Sequence, residues 1–209
     1  QESGHTRHNQ KYVLQRLIEF HRFGQERYGL EAPDWSEIDD GLLCAMAHPG
    51  TITQDEYLHA LHTLCAEPFT SEATRVRDAF VLLLAYRFGL RGGEVIGLRR
   101  HDWVEVASAT VVLVSARYRQ LKSRSSQRQV PLLEPLTTHE KQVVQRWLAH
   151  WAVEIGNHDQ RMPLFFDEGQ HAKVTDIRQI RARLITALRS CTCSSHVTLH
   201  HARHAFANR

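Results

Sequence analysis

Cysteine is scarce in this chain, and long apolar runs are missing. Four cysteines (Cys44, Cys65, Cys191 and Cys193) in 209 residues are few and irregularly spaced for a disulfide framework. They read as reduced thiols. The longest apolar stretch, Ala79 to Ala85, is far shorter than a membrane span. Neither charge sign is in large excess: 26 basic and 23 acidic residues leave a formal net charge of +3, which argues only weakly for an anionic partner. There is no internal repeat and no low-complexity tract, and apolar and charged residues stand at 42% and 23%. A folded chain, rather than a disordered one, is the expectation. No signal peptide opens the sequence, and the first residue is Gln1, so the chain is expected to begin inside a longer protein.

The charge is unevenly distributed. Arg117, Arg119, Lys122, Arg124 and Arg128 fall in one stretch without an acid, and Lys173, Arg178, Arg181, Arg183 and Arg189 face only Asp176. The segment Glu31 to Asp40 is acidic by contrast. Basic blocks on a near-neutral chain point to a surface that meets phosphates, although each alone also fits a solvated face. Most of the fifteen histidines are expected on the surface.

Periodicity predicts a largely helical chain. Val13, Leu14, Leu17, Ile18 and Phe20 recur at helical spacing over Lys11–Tyr28, with Gly29 as a stop. Glu31 to Gly50, with Pro33 and Pro49, reads as a linker or short helices. Thr53 and Glu56 form a capping-box pattern ahead of Tyr57, Leu58, Leu61 and Leu64. Thr74–Phe88 is apolar all round at its centre and is expected to be a buried helix ended by Gly89. A short helix is expected from Gly92 to Leu98. Ala109–Arg117 and Gln129–Leu132 carry strand signals and predict a hairpin with Lys122 near its tip. Further helices are predicted over Thr137–Ile155 and Asp176–Arg189, with a last one starting near His200. Leu164–Phe166 reads as a short strand or extended link. The sum is an α+β fold, mainly α, with one small antiparallel sheet between helices. The expected division is residues 1–50 as the end of a helical unit plus linker, and 51–209 as a second domain.

Three places carry candidate chemistry. In Gly89-Leu90-Arg91-Gly92-Gly93-Glu94, an arginine follows the break of a buried helix. Its planar fork suits phosphate oxygens, the following helix offers free N–H groups, and Glu94 one turn on can hold the guanidinium. Lys122 sits in an acid-free stretch, where a lysine can reach a phosphate or give a proton to a leaving oxygen. In Leu199-His200-His201-Ala202-Arg203-His204, His200 and Arg203 share a helical face. Singly, each also reads as a turn arginine, a solvated lysine or a polar helix surface.

In this order the three motifs resemble the tyrosine recombinase (phage integrase) family, whose first arginine lies in a Thr-Gly-Leu-Arg-x-x-Glu-like segment. The hairpin lysine followed by Val130-Pro131-Leu132, and the His-x-x-Arg-His box at His200–His204, are similar to the family's remaining motifs. The resemblance runs from about Ile52 to Arg209. It implies that Arg91 and Arg203 bind the non-bridging oxygens of a scissile phosphate and that His200 helps hold it. Lys122 is implied as general acid toward the leaving 5′ hydroxyl, with Glu94 and His204 supporting. Arg117, Arg119, Arg124 and Arg128 are expected to contact DNA. The implied activity is site-specific DNA recombination or integration through a 3′-phosphotyrosyl link, with no metal, cofactor or ATP. The implied partner is double-stranded DNA, engaged by a homotetramer of the full-length parent in a bacterial or phage cytoplasm, at the nucleoid and not at a membrane.

The resemblance is incomplete. The family's nucleophilic tyrosine follows the second arginine by tens of residues, whereas Tyr12, Tyr28, Tyr57, Tyr86 and Tyr118 all precede it. The chain is therefore expected to be a fragment trimmed at both ends and inactive alone. Three other readings stand beside this one: a DNA-binding relative without catalysis, a type IB topoisomerase, and a zinc site at Cys191-x-Cys193-x-x-His196, whose cysteine spacing is short for structural zinc.

Overall fold

The computed structural model describes residues 17, 20, 21, 23–31, 52–106, 109–117, 126–156, 159–170, 175–192, 194 and 196–207. The chain divides into two compact units, Gln1–His48 and Pro49–Arg209. In the first, residues 23–28 are helical. Gly29 ends the helix in the left-handed region at φ 67°, its N–H donating to the Gln25 carbonyl at 3.0 Å, as glycine allows. Leu17, Phe20 and His21 are helical too; the other residues of the helix predicted from Lys11, and nearly all of the Glu31–Gly50 linker, lie outside the described residues.

The second unit is mainly helical with one small sheet, as the periodicity predicts. Its helices are α1 (Gln54–Ala66), α2 (Glu72–Arg87), α3 (Gly92–Ile96), α4 (Thr138–Ile155), α5 (Ile177–Thr192) and α6 (Leu199–Ala207). The strands are β1 (Trp103–Val106), β2 (Ala109–Val114) and β3 (Arg128–Pro131), antiparallel in the order β1-β2-β3. No described helix is long and apolar enough to cross a membrane.

Helix α2 is the axis of the core. Every residue from Ala79 to Ala85 is fully buried, and α1, α4 and α6 all pack on it. A helix apolar on every side can only sit where neighbours cover every side. It starts two residues before the predicted Thr74, because the Ser71 hydroxyl accepts the Thr74 N–H at 3.3 Å and so caps the first turn. Helix α1 opens with the predicted capping box: Thr53 Oγ1 accepts from Glu56 N, and Glu56 Oε2 accepts from Thr53 N at 2.8 Å.

Strand β1 was not expected. It is four residues long, and only register reveals its pairing, with Trp103 opposite Val112 and Val106 opposite Ala109. The predicted hairpin is present but shorter, with Val112 opposite Val130 and Val114 opposite Arg128. Ser115–Arg117 leave the ladder. Leu164–Phe166 is an extended link rather than a strand. It is pinned by the indoles of Trp147 and Trp151, which donate to the Leu164 and Pro163 carbonyls at 2.9 Å each.

Buried charge is organised as ion pairs, as desolvation requires. Arg87 donates to both oxygens of Glu140 at 2.6 and 2.9 Å, and Tyr57 Oη donates to the same carboxylate at 2.8 Å. Arg77 bonds Asp78 and Asp167, and Arg183 of α5 closes on Asp78 from the other side.

Candidate anion-binding site

The site begins where α2 stops. Gly89 holds φ +61°, and a Cβ placed there would lie 2.5 Å from Phe206 Cδ1 of α6. The glycine thus serves both the turn and the close approach of α6. Directly after the turn, Arg91 precedes α3. One turn on, Glu94 is 5% exposed. Its Oε2 accepts the Arg91 backbone N–H at 2.8 Å and its Oε1 accepts Arg91 Nη1 at 3.2 Å.

Arg128 reaches the same carboxylate from β3. Its Nη1 donates to Glu94 Oε1 and its Nη2 to Oε2, each at 3.0 Å, and Nη1 also bonds the Ser126 carbonyl at 2.9 Å. Arg203 of α6 comes third. Its Nη1 lies 3.7 Å from Glu94 Oε2, is buried, and has no hydrogen-bond partner among the described residues. Three arginines from three separate elements therefore converge on one carboxylate.

Beside them is a cavity of about 410 Å³. Arg91, Gly92 and Gly93 form one wall, Ile177, Arg178 and Arg181 of α5 another, and Leu199, His200 and Arg203 of α6 the third. The predicted shared face of His200 and Arg203 is realised there. His204 sets its ring edge-on to His200, with centroids 4.3 Å apart. His201 turns away, its Nδ1 accepting the Thr198 N–H at 3.1 Å.

The electrostatics favour an anion. Among the described residues, three guanidiniums against one carboxylate leave a surplus of two positive charges. Burial raises the Glu94 carboxyl, but the hydrogen bonds from Arg128 and the Arg91 backbone, with both guanidinium charges, hold it below the usual carboxylate range. Burial, then the positive charges of Arg91 and Arg128, pull Arg203 down from its ordinary value against the attraction of Glu94. His200 is also lowered, by burial first and then by His204, Arg203, His201 and Arg91. Each cation in the cavity destabilises the next, and an incoming anion relieves all of them.

Some expectations change. The free N–H groups expected ahead of Glu94 contribute little, because α3 is one short turn and the Arg91 N–H is already bonded. Positive charge comes from side chains instead. The second basic block divides: Arg178 and Arg181 line the cavity, whereas Arg183 turns to Asp78 and Arg189 donates to the Val197 carbonyl at 3.2 Å. In the first block Arg117 is exposed, while Lys122, Arg119 and Arg124 lie outside the described residues. Arg128 is on the Glu94 carboxylate, a placement the sequence reading missed. The signal was available: on a strand Arg128 shares a face with Val130, which is buried.

Tyr57 and Tyr86 stack in the core at 3.8 Å, Tyr28 lies in the first unit, and Tyr12 and Tyr118 are outside the described residues. Cys65 and Cys191 are free thiols. Among the described residues, no three His, Cys, Asp or Glu side chains group as metal ligands do, and Cys193 is not among them.

Residues 51–209 match the model of the phage integrase family. The chain belongs to that family, the tyrosine recombinases. It is 26% identical over 197 residues to the tyrosine recombinase XerD of Lacticaseibacillus casei, covering 94% of this chain and 61% of that relative. In fold it is similar to the XerH site-specific recombinase bound to difH substrate in a pre-cleavage complex, with TM-score 0.57 and 15% identity over 75% of this chain and 41% of that one. It is similar also to the Tn1549 transposon integrase in complex with a circular intermediate DNA, with TM-score 0.50 and 18% identity over 99% of this chain and 66% of that one. The chain thus spans about three-fifths of the curated relative's length.

Proposed function

We propose that this chain contributes the phosphodiester-binding centre of a site-specific DNA recombinase. The observation that carries the reading is the buried, unengaged Arg203 Nη1 within a cluster of three guanidiniums and one carboxylate beside an open cavity. A surplus of two positive charges matches a phosphodiester that gains a second negative charge in its pentavalent transition state. Arg91 and Arg203 donate to the non-bridging oxygens, His200 adds a third contact, and Glu94 orients the arginines. Lys122 is the general acid. A tyrosine hydroxyl attacks phosphorus and releases its proton to water, the bond to the 5′ oxygen breaks, and that oxygen takes the proton from Lys122. The 3′-phosphotyrosyl ester retains the bond energy for rejoining. None of the five tyrosines here matches the family's position, so these 209 residues alone are expected to bind duplex DNA without cleaving it. The first unit is the end of a helical DNA-clamping domain, and the assembled enzyme is a tetramer on DNA.

Fluorescence anisotropy with a labelled duplex tests the reading. Arg91→Gln and Arg203→Gln are each expected to weaken binding about tenfold or more, the worth of a charge-assisted hydrogen bond. Unchanged affinity in both variants would remove the phosphate site. A covalent protein–DNA adduct formed by these residues alone would overturn the nucleophile assignment.

A further inference from the structure

Among the described residues four hydrogen bonds meet the Glu94 carboxylate, and two of them come from Arg128, which is not one of the family's catalytic residues. A carboxylate offers about four lone-pair positions. At Glu94 the Arg91 backbone N–H and Arg128 Nη2 occupy Oε2, and Arg91 Nη1 and Arg128 Nη1 occupy Oε1. Arg203 Nη1 is left at 3.7 Å, near enough to be held by charge but too far to hydrogen-bond. Without Arg128, two of these four bonds to Glu94 would be lost beside a buried donor that has no hydrogen bond among the described residues, and the donor would turn to the freed oxygens.

We propose that Arg128 is a positioning residue: by occupying both oxygens of Glu94 it keeps Arg203 Nη1 available for the substrate phosphate. The proposal rests on the phosphodiester reading above. It replaces the expectation that Arg128 touches DNA. Arg128 also ties the start of β3 to the Arg91 turn through one carboxylate. A bidentate guanidinium suits this task better than an ammonium, since only the planar fork serves both oxygens at once.

The test has a structural and a binding arm. In a crystal structure of Arg128→Gln, Arg203 Nη1 is expected to close from 3.7 Å to hydrogen-bond distance from Glu94. A separation that stays unchanged overturns the proposal whatever the site binds. In duplex binding at fixed salt, Arg128→Gln is expected to lose about tenfold, close to the loss in Arg203→Gln. Arg128→Lys, which keeps the charge but reaches one oxygen, is expected to fall between. In a Glu94→Gln background the Arg128→Gln penalty is expected to vanish, because no carboxylate remains to capture Arg203. If the tenfold loss persists in that background, Arg128 contacts DNA directly and the positioning role is wrong. If Arg203→Gln itself costs nothing, Arg203 holds no phosphate and this proposal fails; if Arg91→Gln also costs nothing, the phosphodiester reading fails with it. Should Glu94→Gln not fold, the Arg128→Lys intermediate and the crystal structure still decide.

Discussion

At Glu94 one carboxylate holds three cations, and its removal exposes each of them to the others. Glu94→Gln is expected to cost about 3–5 kcal/mol, the range for breaking a buried ion pair on one side, read from denaturant unfolding. His200 provides a residue-level pH test. Its pKa is lowered in the free protein, and a bound anion favours the protonated ring, so binding takes up a proton. Duplex affinity is therefore expected to rise as pH falls from 8 toward 6, beyond what a His200→Gln variant shows. Equal pH profiles for the two proteins would mean that His200 does not face the anion. Arg203 and His200 were legible as a pair because three-residue spacing is a local property of a helix. The Arg128–Glu94 pair spans 34 positions, and only the β3 face alternation hinted at it.

Elements set the distances between those residues. Helix α6 can approach the Arg91 turn only because Gly89 has no side chain and accepts a positive φ. Gly89→Ala meets both obstacles, a left-handed backbone and a Cβ 2.5 Å from the Phe206 ring. It is expected to destabilise by about 2 kcal/mol or more and to weaken duplex binding further by pushing Arg203 away from Arg91. A melting curve and an anisotropy titration check the two effects separately. Helix α4 is anchored by Glu140, which meets Arg87 of α2 and Tyr57 of α1. Tyr57→Phe is expected to cost about 1–2 kcal/mol through the lost hydrogen bond to a charged group while leaving the anion site unchanged. The long helices were legible from periodicity and caps. Strand β1 was not, because four residues carry too little pattern and its partners lie across a turn.

For the molecule as a whole, Glu94 and Glu140, two of the four carboxylates buried among the described residues, set the acid limit. Burial raises Glu94 and Glu140, but their arginine and backbone hydrogen bonds more than offset it, and both sit below the ordinary carboxylate value. A depressed folded pKa stabilises the fold fully above the unfolded value, near 4.3. That stabilisation is lost as pH falls through the folded value. The melting temperature is therefore expected to hold from pH 7 to about 5 and to fall steeply below about 4. A Glu140→Gln protein is expected to be less stable at neutrality and to show a shallower acid decline. Duplex affinity is expected to drop linearly with salt on logarithmic axes, since counterion release from phosphates dominates such binding. A flat salt response would argue against a phosphate-tracking surface.

The chain's own residues determined the helix-rich fold, the buried α2 and the family motifs, because periodicity, capping and short motifs are local in sequence. Tertiary structure alone brought Arg91, Arg128 and Arg203 to one carboxylate from a turn, a strand and a distant helix. It divided the second basic block between the cavity, an ion pair with Asp78 and a backbone carbonyl, and it left Arg203 Nη1 without a hydrogen bond among the described residues. The reason is physical: a charged group's partner is set by which surfaces pack together and by how many lone pairs remain to be filled, and neither quantity is written in the spacing of the residues.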